Sequence, residues 1–267
     1  MRPLKFHPIL KQTLWGGERI IPYKELASGL SRVGESWELS GMPGSESVVA
    51  EGPWAGSTLS ELIGRFGAEL LGKANYARFG QEFPLLVKFI DAREDLSIQV
   101  HPDDELARKR HGKSGKCEMW YVLEAEPGAS LLTGFSRPIA PAEYERRVAD
   151  NTLTDVLNRQ AIASGDVFYL PAGRVHSIGK GSFIVEIQQS SDITYRIYDF
   201  DRRDAAGNSR ELHTELAREA IDFESSENSR ITYAPENNQE VRLVTTPYFT
   251  TSLYTLTART RCDWSAT

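Results

Sequence analysis

Cysteine is nearly absent from this chain: Cys117 and Cys262 are the only two among 267 residues. Two thiols without paired spacing exclude a disulfide framework and a thiolate zinc site, so both are expected to be free. Long apolar runs are missing as well. The stretch "FPLLVKFIDA" is interrupted by Lys88 and Asp91, and "MRPLKFHPIL" lacks the apolar centre of a signal peptide. Neither a membrane span nor a secretory leader is expected, and the anticipated setting is the cytoplasm. Positive charge is not in excess either. The net charge is −6, with Lys and Arg scattered along the chain, which argues against nucleic acid as a partner. The basic run "ARKRHGK" follows Asp103, Asp104 and Glu105 and reads as a solvated helix face or loop. Internal repeats and low-complexity tracts are also lacking.

What is present is the pattern of a β protein. With 40% hydrophobic residues the chain can bury a large core, as one β domain or two smaller ones. Between residues 83 and 200 short apolar runs recur, among them "FPLLVKFI", "LSIQV", "EMWYVLEA", "SLLTGF", "DVFYLPA" and "SFIVEIQ", separated by Gly, Pro, Asp and Ser. Such spacing predicts a sandwich or jelly roll. Helical periodicity interrupts it three times. "TLSELIGRFGAELLG" at 58–72 opens with Thr58 and Glu61 in capping-box spacing, "APAEYERRVADNTLTDVLNRQ" at 140–160 places Pro141 in a first turn, and "RELHTELAREAIDF" predicts a helix over 210–223.

Three segments carry chemistry. In "LSIQVHPDD", alternation puts Leu96, Ile98 and Val100 on one face of a strand and Gln99 and His101 on the other. In "GKCEMWYVL", Glu118 shares a face with Trp120, opposite Met119 and Tyr121. In "GDVFYLPAGRVHSIG", Gly165, Pro171 and Gly173 shape a tight bend that delivers His176 to the next short strand. Gln99, His101, Glu118 and His176 form a mixed N/O set that suits Zn²⁺, with Fe²⁺, Mn²⁺ and Co²⁺ chemically acceptable. Gln99 either ligates the ion or orients a group that does. Taken singly, each has a plainer reading as a satisfied polar residue at a sheet edge. Lys88 between Val87 and Phe89 has a plainer reading as a snorkelling edge lysine, while His111 reads as a solvated loop residue and His213 as part of a helix face.

The spacing Gly165-x5-Pro171-x-Gly173-x2-His176 resembles the second motif of the cupin superfamily. Together with "QVHP", "SSDITYRIYDFDR", "LWGG", "GESWELS" and "PLLVKFIDA", it makes the chain similar to type I mannose-6-phosphate isomerases from about residue 4 to about residue 250. The short segment between Pro138 and Gln160 matches the short bacterial form. Ile178 stands where the long eukaryotic form has a tyrosine, so fine substrate contacts do not transfer from that form.

The resemblance implies a mainly β cupin jelly roll (double-stranded β-helix) with short helical insertions. It implies a metal-binding catalytic domain over 1–225 and the opening strands of a second jelly roll over 226–267, apparently cut short. One Zn²⁺ per chain would be held by Gln99, His101, Glu118 and His176. Arg196 takes the position of the family's catalytic arginine. Lys88, Lys116, Glu186 and Asp192 match polar positions of its pocket, and Trp15 matches an aromatic near the entrance. The implied partner is a small sugar phosphate, and the chain is expected to be a monomer or weak homodimer.

The residue types fit aldose–ketose isomerisation on their own terms. Moving a proton between C1 and C2 develops charge on O1 and O2, which a cation and Arg196 can stabilise. Lys116, Glu186 or Asp192 can move the proton, and Lys88, Lys116 or Arg196 can meet the phosphate. A metal-dependent sugar-phosphate-binding cupin without turnover is the alternative, and Arg196 with Lys116 favours the enzyme. An iron dioxygenase would use a two-histidine first motif, against which Gln99 and the displaced Glu118 both argue.

Overall fold

The alternating runs become strands in the computed structural model, which describes residues 3–224 and 228–260. In chain order these are β1 Ile9–Gly17, β2 Val33–Ser40, β3 Leu85–Ala92, β4 Ile98–Val100, β5 Glu118–Ala125, β6 Ser130–Phe135, β7 Leu157–Ala161, β8 Val167–Leu170, β9 His176–Ile178, β10 Ser182–Gln189, β11 Tyr195–Tyr198, β12 Arg230–Ile231, β13 Glu240–Thr245 and β14 Thr250–Tyr254. The helices are α1 Ile20–Tyr23, α2 Leu59–Phe66, α3 Ala68–Leu71, α4 Lys73–Phe79, α5 Asp104–His111, α6 Pro141–Ala149 and α7 Thr214–Ala220, with a 3-10 turn at Leu153–Val156.

Two antiparallel sheets face each other. One runs β1-β2-β3-β10-β5-β8-β12 and the other β11-β4-β9-β6-β7, the jelly-roll arrangement expected of a cupin. Between them lies an inner core of Trp15, Ile90, Leu96, Trp120, Val122, Leu131, Phe168, Leu170, Ile178 and Ile184, drawn from both sheets. Period-two alternation sends the intervening residues outward. Ile98, Val100, Tyr195 and Ile197 pack on the far side of the smaller sheet against Tyr144, Leu153, Val156 and Ala217 of the helical flank. Met119 and Val167 pack on the far side of the larger sheet beneath Leu243, Val244 and Phe249.

The helical expectations hold in part. Thr58 caps α2 through a reciprocal box, its Oγ1 accepting from Glu61 N–H at 3.2 Å while Glu61 Oε2 accepts from Thr58 N–H at 2.9 Å. The single helix expected over 58–72 breaks at Gly67, whose φ of 48° leaves the helical region. The segment 140–160 divides into α6, the 3-10 turn and strand β7, because the β-paired Leu157–Ala161 run lies against β6. The helix expected over 210–223 is confined to Thr214–Ala220, and Arg210–His213 approach it in non-helical conformation.

Residues 225–227, at the expected domain boundary, lie outside the described residues, as do Cys262 and most of the closing "RTRCDWSAT". Beyond that boundary β12 joins the larger sheet beside β8. β13 and β14 pair with each other as a hairpin.

Candidate metal centre

The centre is assembled by register. Across the smaller sheet Arg196 of β11 stands opposite Gln99 of β4, and Gln99 opposite His176 of β9. His101 follows β4 directly, and the bend at 171–175 is tied to it: Gly173, at φ 85°, donates its N–H to the His101 carbonyl at 2.9 Å. Only a residue tolerant of positive φ fits that bend. From the opposite sheet, Glu118 at the start of β5 projects inward with Trp120, whose ring meets His176 edge-on at 5.4 Å.

His101, Glu118 and His176 are buried, and one ligating atom from each lies within 4.8 Å of the others. His101 Nε2 is 3.5 Å from Glu118 Oε2, and His176 Nε2 is 3.3 Å from Glu118 Oε1. Donors about 2.0–2.1 Å from a tetrahedral zinc would be about 3.3–3.4 Å apart, so the spacing fits such an ion. Each imidazole is oriented through its other nitrogen. Nδ1 of His101 donates to the Ile193 carbonyl and Nδ1 of His176 to the Arg174 carbonyl, each at 2.8 Å, which leaves Nε2 as the lone-pair nitrogen of both rings. His101 Nε2 and Glu118 Oε1 make no hydrogen bond, and Glu118 Oε2 has the Lys116 ammonium as its partner. Buried ligating atoms left unsatisfied and facing one another are what a cation would satisfy.

Electrostatics prepare the same state. Burial, aided by Lys116, drives His101 down to about 3, and burial lowers His176 against the opposing pull of Glu118. Both rings are therefore neutral at physiological pH. Burial pushes the Glu118 carboxyl up, but the Lys116 ammonium beside it reverses this and holds it well below the usual carboxylate range. Gln99 Nε2 is 3.3 Å from His176 Nε2, and the oxygen that could ligate is the other end of the same amide.

Gln99 and Lys116 separate this group from a cavity of about 620 Å³, which they line with Trp15, Glu35, Lys88, Ile178, Glu186 and Arg196. Lys116 Nζ reaches Glu118 Oε2 at 3.0 Å. Glu186 is held between its register partners, accepting from Trp120 Nε1 at 2.8 Å and pairing with Lys88 Nζ at 2.8 Å. Lys88 is not a snorkelling edge residue. β3 is central, and burial that would pull the ammonium down is outweighed by Glu186 and Glu35, leaving it above the usual lysine range. Trp15 is both core and cavity wall, 5% exposed.

Asp192 is placed elsewhere: its half-exposed carboxylate pairs with Lys113 at 2.9 Å, and it does not line the cavity. Sequence reasoning missed Glu35 and Arg210 as cavity residues. "GESWELS" carried a signal for Glu35 in its alternation with Trp37. Arg210 had none, since it is brought back beside β11 by paired contacts with the buried Asp199, among them Nε to Oδ2 at 2.7 Å.

Fold and site together define a cupin with a buried His/Glu/His metal-binding group behind a cavity lined by charged residues. Residues 4–134 match the model of the phosphomannose isomerase type I catalytic domain. The chain is 39% identical over 224 residues to a mannose-6-phosphate isomerase of Bacillus subtilis, covering 84% of this chain and 69% of that protein. It is 37% identical over 251 residues to that of Streptococcus mutans, covering 93% and 77%. The crystal structure of the mannose 6-phosphate isomerase from Bacillus subtilis superposes with a TM-score of 0.85 at 33% identity, covering 94% of this chain and 79% of that one. The chain belongs to the type I mannose-6-phosphate isomerase family.

Proposed function

We propose that this protein is a zinc-dependent aldose–ketose isomerase that interconverts mannose 6-phosphate and fructose 6-phosphate through an enediolate. The observation that carries the reading is the buried His101–Glu118–His176 group, in which His101 Nε2 and Glu118 Oε1 are unsatisfied, set behind a cavity that presents Arg196, Lys116 and Glu186. One zinc ion per chain would be held by these three residues with Gln99 beside them, and when bound it supplies Lewis-acid polarisation of the substrate carbonyl.

The remaining work falls to the chain. Arg196 stabilises charge developing on O1 and O2. Lys116 or Glu186 takes the proton from one carbon and returns it to the other, whereas Asp192 points away. Lys88 is already neutralised by Glu186 and Glu35, and Arg210 by the buried Asp199, which leaves Arg32 on the exposed side of the cavity to meet the phosphate. Trp15 and Ile178 form the apolar wall that excludes water. We place the activity in the cytoplasm.

The test pairs metal analysis with a coupled assay. His101→Ala and His176→Ala are each expected to lose bound zinc and turnover together, and stoichiometric zinc in both variants would remove the assignment. Zinc-replete protein that binds the sugar phosphate without converting it would instead be a binding cupin.

A further inference from the structure

Arg196 lies on an edge strand. β11 pairs only with β4 among the described strands, so one rim of β11 needs hydrogen-bond partners from outside the sheet. The segment before α7 supplies them at one residue. His213 N–H donates to the Arg196 carbonyl at 2.7 Å, and Arg196 N–H donates back to His213 Nδ1 at 3.2 Å. Arg196 Nη1 donates to the Glu211 carbonyl at 2.9 Å. Both main-chain groups of Arg196 thus point away from β4, which makes Arg196 and Gln99 a non-hydrogen-bonded antiparallel pair, the kind whose side chains approach most closely.

We infer that His213 is a positioning residue for Arg196, its imidazole replacing the backbone carbonyl that a neighbouring strand would offer and so fixing the strand that carries the guanidinium in the cavity wall. The inference rests on the catalytic role proposed for Arg196. His213 itself does not line the cavity. Because Nδ1 accepts from Arg196, the ring carries its proton on Nε2, which faces Glu211 Oε2 at 3.8 Å. Its outer face meets the Tyr195 ring at 6.4 Å, and Tyr195 in turn contacts His111 Nε2 through its hydroxyl at 2.7 Å. A ring wedged in this way can hold a strand edge without touching substrate.

The test uses full-length, zinc-replete protein with His213→Leu, His213→Asn, Arg196→Ala and the double variant His213→Leu/Arg196→Ala. Asn can offer an acceptor near the position of Nδ1, whereas Leu cannot. His213→Leu is expected to keep stoichiometric zinc and a near-normal KM while kcat falls on the order of 10- to 100-fold, the scale of a small misplacement of a reacting group. His213→Asn is expected to recover most of that loss. In the Arg196→Ala background, His213→Leu should lower kcat no further.

Full rate in His213→Leu beside a slow Arg196→Ala would overturn the inference, as would an equal further loss in the double variant or equal losses in the Leu and Asn variants. Full rate in Arg196→Ala would instead remove the catalytic reading on which the inference depends.

Discussion

Glu118 is fully buried and is the point where the electrostatics of the centre converge, so Glu118→Gln is the sharpest perturbation of it. The amide keeps the shape and removes the charge that faces His101, His176 and Lys116 at 3.5, 3.3 and 3.0 Å. Lys116 is itself only 5% exposed, so the variant leaves a buried ammonium without its counter-ion. Removing one partner of a buried pair costs about 3–5 kcal/mol. At about 2–4 °C per kcal/mol for a chain of this size, the melting temperature of chelator-treated protein should fall by about 6–20 °C. The same variant should lose bound zinc, because a carboxylate ligand has become a neutral amide. Scanning calorimetry of the metal-free form and metal analysis of the purified form read the two effects separately. Stoichiometric zinc with an unchanged melting temperature in the metal-free variant would refute the reasoning.

Three further outcomes follow from individual placements. Arg196→Ala should retain zinc and lower kcat by about 10²–10³-fold, the scale of removing one donor to a developing oxyanion, as read by the coupled assay. Asp192→Asn should leave kcat/KM within about twofold of the parent protein, because its carboxylate pairs with Lys113 outside the cavity, where its loss removes no contact to substrate. Burial raises the Asp104 carboxyl, but donation from the Tyr248 hydroxyl, Gly115 N–H and the Gln189 amide holds it below the usual range. A carboxyl depressed in the folded state contributes stability above its unfolded pKa of about 3.9 and loses it as pH falls through the folded value. Asp104→Asn should therefore flatten the decline in urea midpoint below about pH 4.

Much of the centre was legible because it depends on strand alternation and one turn. Period two placed Leu96, Ile98 and Val100 on one face opposite Gln99, and Trp120 opposite Met119. Trp120 and Met119 do divide between the inner and outer cores, and Ile98 and Val100 pack in the outer core, but Leu96 precedes β4 and packs in the inner core instead. The bend before His176 was legible because Pro171 and Gly173 have few other uses at that spacing. What escaped reading was long-range. The resemblance put Lys88 at the pocket, which it lines; its plainer reading as an edge lysine fails because sequence does not show that β3 is central or that Glu186 lies directly across from it. Asp192 looked like a pocket residue, but the loop after β10 turns its carboxylate toward Lys113. Arg210 and His213 gained their roles from a return of the chain to the edge of β11, which no local pattern announces. The helix over 58–72 failed at a single glycine whose backbone angle reverses sign.

The most direct measurement of the central claim is metal-titrated turnover. Protein stripped by chelator is titrated with zinc while conversion of mannose 6-phosphate to fructose 6-phosphate is followed in a coupled assay. The account predicts that turnover rises with zinc and saturates at one ion per chain. Zinc-replete protein that converts neither sugar phosphate, or full turnover by the stripped protein, would contradict it.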